Sequence, residues 1–179
     1  MSEEKKVEPS RNGLAMDSAR CIGCFACEVA CKMEHDFPGE CHTIRGIMVG
    51  PLEEDGKLVM AFHPTTCSHC DRPSCVAACP TGAMKKREDG IVFSDMQLCI
   101  GCQTCAVACP FGIPQLNPLT GKIAKCDGCK DRVDRGMWPV CALKCPTGAI
   151  IFGTPTRVVQ EIRQREAVRV VRCMPRERN

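Results

Sequence analysis

The chain has 179 residues, a formal net charge of +3 and eighteen cysteines, but only one Trp, six Phe and no Tyr. So few large aromatics cannot build an ordinary core, and no apolar run approaches the roughly 18 residues that span a bilayer. Lys and Arg are interleaved with Asp and Glu, which argues against a nucleic-acid partner.

In chain order, the stretch from Met1 to Lys6 is polar, no apolar signal core follows, and no Arg-Arg pair precedes Cys21. The expectation is a cytoplasmic chain, periplasmic only if carried by an exported partner. Cytosolic thiols are kept reduced, which weighs against a disulfide framework. Residues 1–15 read as a loose end. A first cysteine group follows: Cys21, Cys24, Cys27 and Cys31. Residues 43–49 and 57–62 are rich in β-formers and flank Asp55-Gly56, a hairpin signal. The second group is Cys67, Cys70, Cys75 and Cys79. Gly90 to Phe93 reads as a short strand entered from the polar turn 87–89. The third group is Cys99, Cys102, Cys105 and Cys109, and the Pro- and Gly-bearing residues 111–124 read as an irregular connection. The fourth is Cys126, Cys129, Cys141 and Cys145. After Thr154-Pro155 residues 156–166 read as a helix. Ala167 to Val171 suits a final strand, and 174–179 a second loose end.

The groups alternate in kind. Cys21–Cys31 matches Cys99–Cys109 at eight of eleven positions, and Cys75–Met84 matches Cys141–Ile150 at six of ten. A duplicated two-cluster ferredoxin is the simplest source of that repeat. In C-x₂-C-x₂-C three sulfurs wrap one cubane, while the fourth Cys is expected to open a helix and reach a neighbouring cluster. The Pro after it, at 80, 110 and 146, would fit a helix start. Zinc is the main competitor for isolated Cys-x-x-Cys pairs, but four complete groups, three of them ending in Cys-Pro, point to four [4Fe–4S] clusters. Each such cluster with its thiolates carries about −2, so the loaded chain stands near −5. Groups two and three are joined by one short hairpin, 80–98, which favours pairing two with three and one with four. Sequential pairing, one with two and three with four, is the alternative.

Among the other residues, Cys41 and Cys173 read as small buried hydrophobes. His69 lies inside a cysteine loop, where it can donate to sulfur or relay a proton, or be a capping side chain. His35, His42 and His63 have no partner spacing. Lys85-Lys86-Arg87 reads as a charged hairpin turn rather than a steering patch. No P-loop, dinucleotide glycine pattern or pterin site is present, so no catalytic residue is assigned.

Several segments carry a resemblance: Cys-Ile-Gly-Cys, Cys-Ser-His-Cys-Asp-Arg-Pro-Ser-Cys, Cys-Pro-Phe-Gly-Ile-Pro, Lys-Cys-Asp-Gly-Cys-Lys-Asp-Arg and Cys-Pro-Thr-Gly-Ala. Over residues 21–153 the chain resembles the four-cluster ferredoxin-type subunits of molybdenum and tungsten bis-pterin oxidoreductases, such as dimethyl sulfoxide reductase, formate dehydrogenase and polysulfide reductase. It is also similar to the small subunits of tungsten aldehyde oxidoreductases. The resemblance implies an α+β fold of two pseudo-symmetric bacterial ferredoxin-like lobes, with short strands, short helices and long cluster-binding loops. The inner lobe would be 67–109 and the outer 16–66 plus 110–173. It implies four ligand sets: Cys21, Cys24, Cys27 with Cys145; Cys126, Cys129, Cys141 with Cys31; Cys67, Cys70, Cys75 with Cys109; and Cys99, Cys102, Cys105 with Cys79. It further implies single-electron relay between a Mo/W-pterin catalytic subunit and a downstream carrier, such as a flavoprotein, a soluble ferredoxin or a quinone-linked subunit. A free-standing polyferredoxin shuttle is the alternative.

Overall fold

A computed structural model describes residues 12–173. The elements run β1 (Gly13–Met16), α1 (Ala26–His35), β2 (Ile44–Glu54), β3 (Lys57–Thr66), α2 (Ser74–Ala77), β4 (Met84–Lys86), β5 (Val92–Ser94), α3 (Thr104–Ala108), β6 (Gln115–Asn117), β7 (Lys122–Ala124), α4 (Lys130–Val133), α5 (Val140–Leu143), β8 (Ile150–Gly153) and α6 (Pro155–Cys173). The fold is α+β, and its strands form four separate antiparallel pairs: β1–β8, β2–β3, β4–β5 and β6–β7. Two-stranded ribbons and four-residue helices are marginal on their own. Their order must therefore come from the apolar side chains, and the sulfur chemistry, gathered between them.

Four contacts, two between strands and two between helices, set the architecture. β1 pairs with β8 in the register Leu14↔Phe152 and Met16↔Ile150, and α1 packs on α5, so the first cysteine group is tied to the fourth. In the middle of the chain α2 packs on α3 and β4 pairs with β5 through Lys85↔Phe93, tying the second group to the third. Two hydrophobic clusters result. One gathers Ile44, Trp138, Ile150 and Phe152 around Cys31 and Cys141; the other gathers Met84, Val92 and Ile123 around Cys75 and Cys105. Trp138 and Phe152 meet edge to face with centroids 5.8 Å apart.

The hairpin expected at Asp55-Gly56 forms, with both residues in the left-handed region at φ 49° and 73°. It is longer than the β-forming residues suggest, and its register shifts between Val49 and Leu52, where Pro51 has no N–H to give the ladder.

Other expectations are corrected. Residues 111–124 are not irregular throughout: β6 and β7 pair from Gln115↔Ala124 to Asn117↔Lys122. Ala167 to Val171 is not a strand but the continuation of α6. Neither Gly nor Pro interrupts the helix after Pro155, the pairs Glu161–Arg165 and Glu166–Arg169 support it, and no strand edge is paired with it. The fourth Cys of groups two, three and four does not open a helix. Cys79, Cys109 and Cys145 follow the ends of α2, α3 and α5, and the succeeding Pro stops the turn, because Pro cannot continue a helix. Residues 13–15, expected loose, belong to β1; residues 1–11 and 174–179 lie outside the described residues. Cys41 is buried, but Cys173 is exposed at the end of α6. Among the described residues no helix is long and apolar enough to cross a membrane.

Candidate metal centres

Each cysteine group is a tight loop leading into a short helix. Cys27 lies on α1, Cys75 on α2, Cys105 on α3 and Cys141 on α5, so the third sulfur of every group has a helical anchor. The residue before the second Cys is always left-handed: Gly23 at φ 67°, Gly101 at 71°, Gly128 at 68° and His69 at 44°. At Gly101 the requirement is steric too, since a Cβ would sit 2.1 Å from the Gly121 carbonyl oxygen.

The folded chain brings cysteines of different groups together. One cleft, open to solvent and about 390 Å³ with its mouth included, is lined by Cys67, Cys70 and Cys75 of group two with Cys109 of group three. Another, of about 300 Å³, is lined by Cys99, Cys102 and Cys105 with Cys79. A third, of about 380 Å³, is lined by Cys21, Cys24 and Cys27 with Cys145. Cys126, Cys129 and Cys141 lie close enough to Cys31 for their charges to interact.

Burial dominates the thiol chemistry. It pushes Cys27 and Cys105 up to about 11 and Cys31 up to about 12, and it also raises Cys129 and Cys141 well above the usual thiol range. Where hydrogen bonds outweigh burial the shift is downward, as at Cys145, which accepts from the Ala149 N–H at 3.2 Å. The Cys-Pro-Thr repeat has a structural counterpart: Thr81 Oγ1 is 3.7 Å from Cys79 Sγ, and Thr147 Oγ1 is 3.7 Å from Cys145 Sγ. Thr43 Oγ1 lies 3.1 Å from Cys31 Sγ.

These sites can be tested against candidate occupants. All eighteen cysteines are free, so the sulfurs do not bond one another. Four thiolates on zinc, each about 2.3 Å from the ion, would stand roughly 3.8 Å apart by tetrahedral geometry. Among the described residues the one group of three ligand atoms within 4.8 Å of one another is His35, Asp127 and Cys129. No three of the described cysteine sulfurs come that close, so the cysteine clefts are too open for a single ion. They suit a polynuclear core with one thiolate at each corner.

Two residues at these sites carry little sequence signal of their own. His35 Nε2 is 3.3 Å from Cys129 Sγ and 3.8 Å from Asp127 Oδ1; its place four residues after Cys31 on α1, the same helix face, is the clue. Lys125 is 5% exposed and lines the cleft of Cys67, Cys70, Cys75 and Cys109. Nothing local marks it, because a buried lysine is a tertiary event. His69 is held with Nδ1 accepting the Val92 N–H at 2.9 Å, and burial, reinforced by the Lys125 charge, pushes it down to about 3. His42 pairs with Glu28 at 3.2 Å and His63 with Ser18 at 2.6 Å. Lys85, Lys86 and Arg87 are each tied to a carboxylate, which makes them struts rather than a free patch.

Residues 58–155 match a family described as 4Fe-4S dicluster domain, and residues 20–83 match a second family of the same description. The chain is 43% identical over 160 residues to the probable anaerobic dimethyl sulfoxide reductase chain YnfG of Escherichia coli K12, covering 86% of this chain and 76% of that one. It is 43% identical over 139 residues to the thiosulfate reductase electron transfer subunit PhsB of Salmonella typhi, covering 76% and 72%. With the iron-sulfur subunit of the nitrate-inducible formate dehydrogenase of Escherichia coli K12 it shares 38% identity over 168 residues, 85% of this chain and 57% of that one. Cysteine clefts too wide for one metal ion and two matching domain families lead to one conclusion: the chain belongs to the 4Fe-4S dicluster family and is an iron–sulfur electron-transfer protein with four [4Fe–4S] clusters.

Proposed function

We propose that this chain is the electron-transfer subunit of an oxidoreductase complex, relaying single electrons between a Mo/W-pterin catalytic subunit and a second carrier. Relatives named as a reductase chain, a reductase electron transfer subunit and a formate dehydrogenase subunit support a complex of this type. The four cysteine sets are the ligand sets: Cys21, Cys24, Cys27, Cys145; Cys126, Cys129, Cys141, Cys31; Cys67, Cys70, Cys75, Cys109; and Cys99, Cys102, Cys105, Cys79. The observation that carries this reading is that each of three clefts is lined by three cysteines of one group and the last cysteine of another. The sets divide the chain into an inner lobe around 67–109 and an outer lobe from 16–66 and 110–173, each a pseudo-symmetric ferredoxin-like unit. The two hydrophobic clusters support that division apart from Ile123, which lies beyond residue 109 yet packs with Met84 and Val92 of the inner lobe.

When bound, a [4Fe–4S] cluster supplies a one-electron carrier whose potential follows its burial and the hydrogen bonds to its sulfurs. The chain's own residues set both. Trp138, Ile44 and Phe152 exclude water around Cys31 and Cys141. Backbone N–H groups of His69 and Ala149 donate to Cys67 and Cys145 at 3.4 and 3.2 Å; Thr104 Oγ1 donates to Cys102 at 3.4 Å. Each donor stabilises added negative charge on its sulfur and so favours the reduced state. Anaerobic isolation from native cells tests the proposal: about sixteen irons per chain and a co-eluting pterin-containing subunit are expected. A chain that elutes alone with its full iron would be a free shuttle instead.

A further inference from the structure

Of the four Cys-x-x-Cys loops, three place Gly before the second cysteine, and the fourth places His69 in the same left-handed conformation. For a residue with a Cβ that backbone costs roughly 1–2 kcal/mol, so the imidazole occupies a position where the chain elsewhere uses glycine. Its surroundings hold it there. Val92 N–H donates to Nδ1 at 2.9 Å, which fixes the ring proton on Nε2, and Nε2 lies 3.8 Å from Cys126 Sγ. The backbone N–H of the same residue donates to Cys67 Sγ at 3.4 Å. Gly128 leaves room for the ring, since a Cβ there would lie 3.4 Å from His69 Nε2. The carbonyl of the same residue, Val92, accepts from Lys125 Nζ at 2.6 Å, and Lys125 also donates to the Cys126 carbonyl. Among the described residues Lys125 makes no ion pair, although it is 5% exposed; it lies close enough to Cys67 and Cys75 to oppose the upward push of burial on both thiols, and would face their negative charge when they ligate a cluster as thiolates.

We propose that His69, with Lys125 clamped to the same residue, Val92, is the bridge across which electrons pass between the Cys67-Cys70-Cys75-Cys109 site and the Cys126-Cys129-Cys141-Cys31 site. This rests on the ligand sets proposed above. His69 joins the two sites through hydrogen bonds to one thiolate of each, Cys67 and Cys126, and Lys125 places a buried positive charge between them. Both groups favour the reduced state of the site they touch, which keeps the two potentials close enough for exchange. The step is an outer-sphere transfer of one electron: one site is oxidised by one electron as the other is reduced by one. No bond forms or breaks. No proton is taken up by the ring, because the Val92 N–H already occupies the Nδ1 lone pair.

His69→Gly is the decisive variant, because it installs the residue the chain uses at its three equivalent positions and relieves the backbone while removing the ring. The whole chain is purified anaerobically, its iron counted, and its potentials read by redox titration with electron paramagnetic resonance. His69→Gly should keep its iron, and the one-electron equilibrium at the Cys126 site should shift about tenfold toward oxidation, about 59 mV lower, with the Cys99 and Cys21 sites unmoved. Lys125→Met should produce a shift of the same sign centred on the Cys67 site. A merely structural His69 predicts the opposite pattern, unchanged potentials with or without loss of iron, and that result overturns the proposal. Failure of the underlying ligand sets is separable: Cys109→Ala would then abolish a different signal from Cys67→Ala, and Cys31→Ala a different signal from Cys126→Ala.

Discussion

The two hydrophobic clusters are made of different material. The one joining the first and fourth cysteine groups holds Trp138, Phe152, Ile44 and Ile150 beside Cys31 and Cys141, and β1–β8 and α6 pack over it. The other has no aromatic residue: Met84, Val92 and Ile123 surround Cys75 and Cys105, between strands of three residues each. Apolar burial contributes about 25 cal/mol per Å², and each Trp or Phe side chain buries about 150–250 Å². The cluster around Trp138 therefore has packing of its own, whereas the one around Val92 depends far more on ligand bonds from its cysteines.

Iron removal should separate the two clusters with the largest effect. After anaerobic chelation, amide exchange across Met84–Ser94 should rise to unfolded levels, while Ile150–Gly153 retains measurable protection. Equal loss in both segments would show that the aromatic packing supplies no independent stability. Next in size, Trp138→Ala should cost ~3–5 kcal/mol and Met84→Ala ~2–5 kcal/mol. The two losses should add to within about 0.5 kcal/mol, because the residues belong to separate clusters. Strong coupling between them would merge the two regions into one.

The difference in ligand dependence also appears in proton accounting. Burial raises Cys27 and Cys105 to about 11 and Cys31 to about 12. In the metal-free fold these groups contribute stability below the usual thiol range, and it is lost as pH rises through 11 to 12. Cluster ligation demands thiolate, so it runs the other way: loading near neutral pH should release about one proton per cysteine and tighten as pH rises. Reconstitution in weak buffer with a pH electrode measures it. The smallest effect is expected at Arg87, which donates to Asp134 at 2.6 and 2.9 Å across the boundary between the two regions. This partly exposed pair should contribute ~0.2–1 kcal/mol, and Arg87→Ala should weaken accordingly in salt-dependent denaturation.

What could be read from the residues divides along the same physical line. Cysteine spacing is a covalent, local property, and the four groups were legible at once. So was Asp55-Gly56, whose turn chemistry depends on two adjacent residues. Strand β1 was not, because Gly13–Met16 becomes a strand only when residues 150–153 arrive beside it. The hairpin of β6 and β7 was hidden by its prolines and by strands too short to express a period. Val168, Val170 and Val171 favoured a strand by type, yet with no edge to join they extend α6. Lys125 beside the cysteine cleft was illegible for the reason that buried charge always is: nothing in the neighbouring sequence marks the desolvation.

Whether each site takes its fourth thiolate from a different cysteine group is read most directly from paired substitutions with iron counting. Cys21→Ala and Cys145→Ala together should remove one cluster and leave about twelve irons, whereas Cys21→Ala and Cys31→Ala together should remove two and leave about eight. The reverse outcome, twelve for the pair within one group and eight for the pair across groups, would contradict ligation across groups.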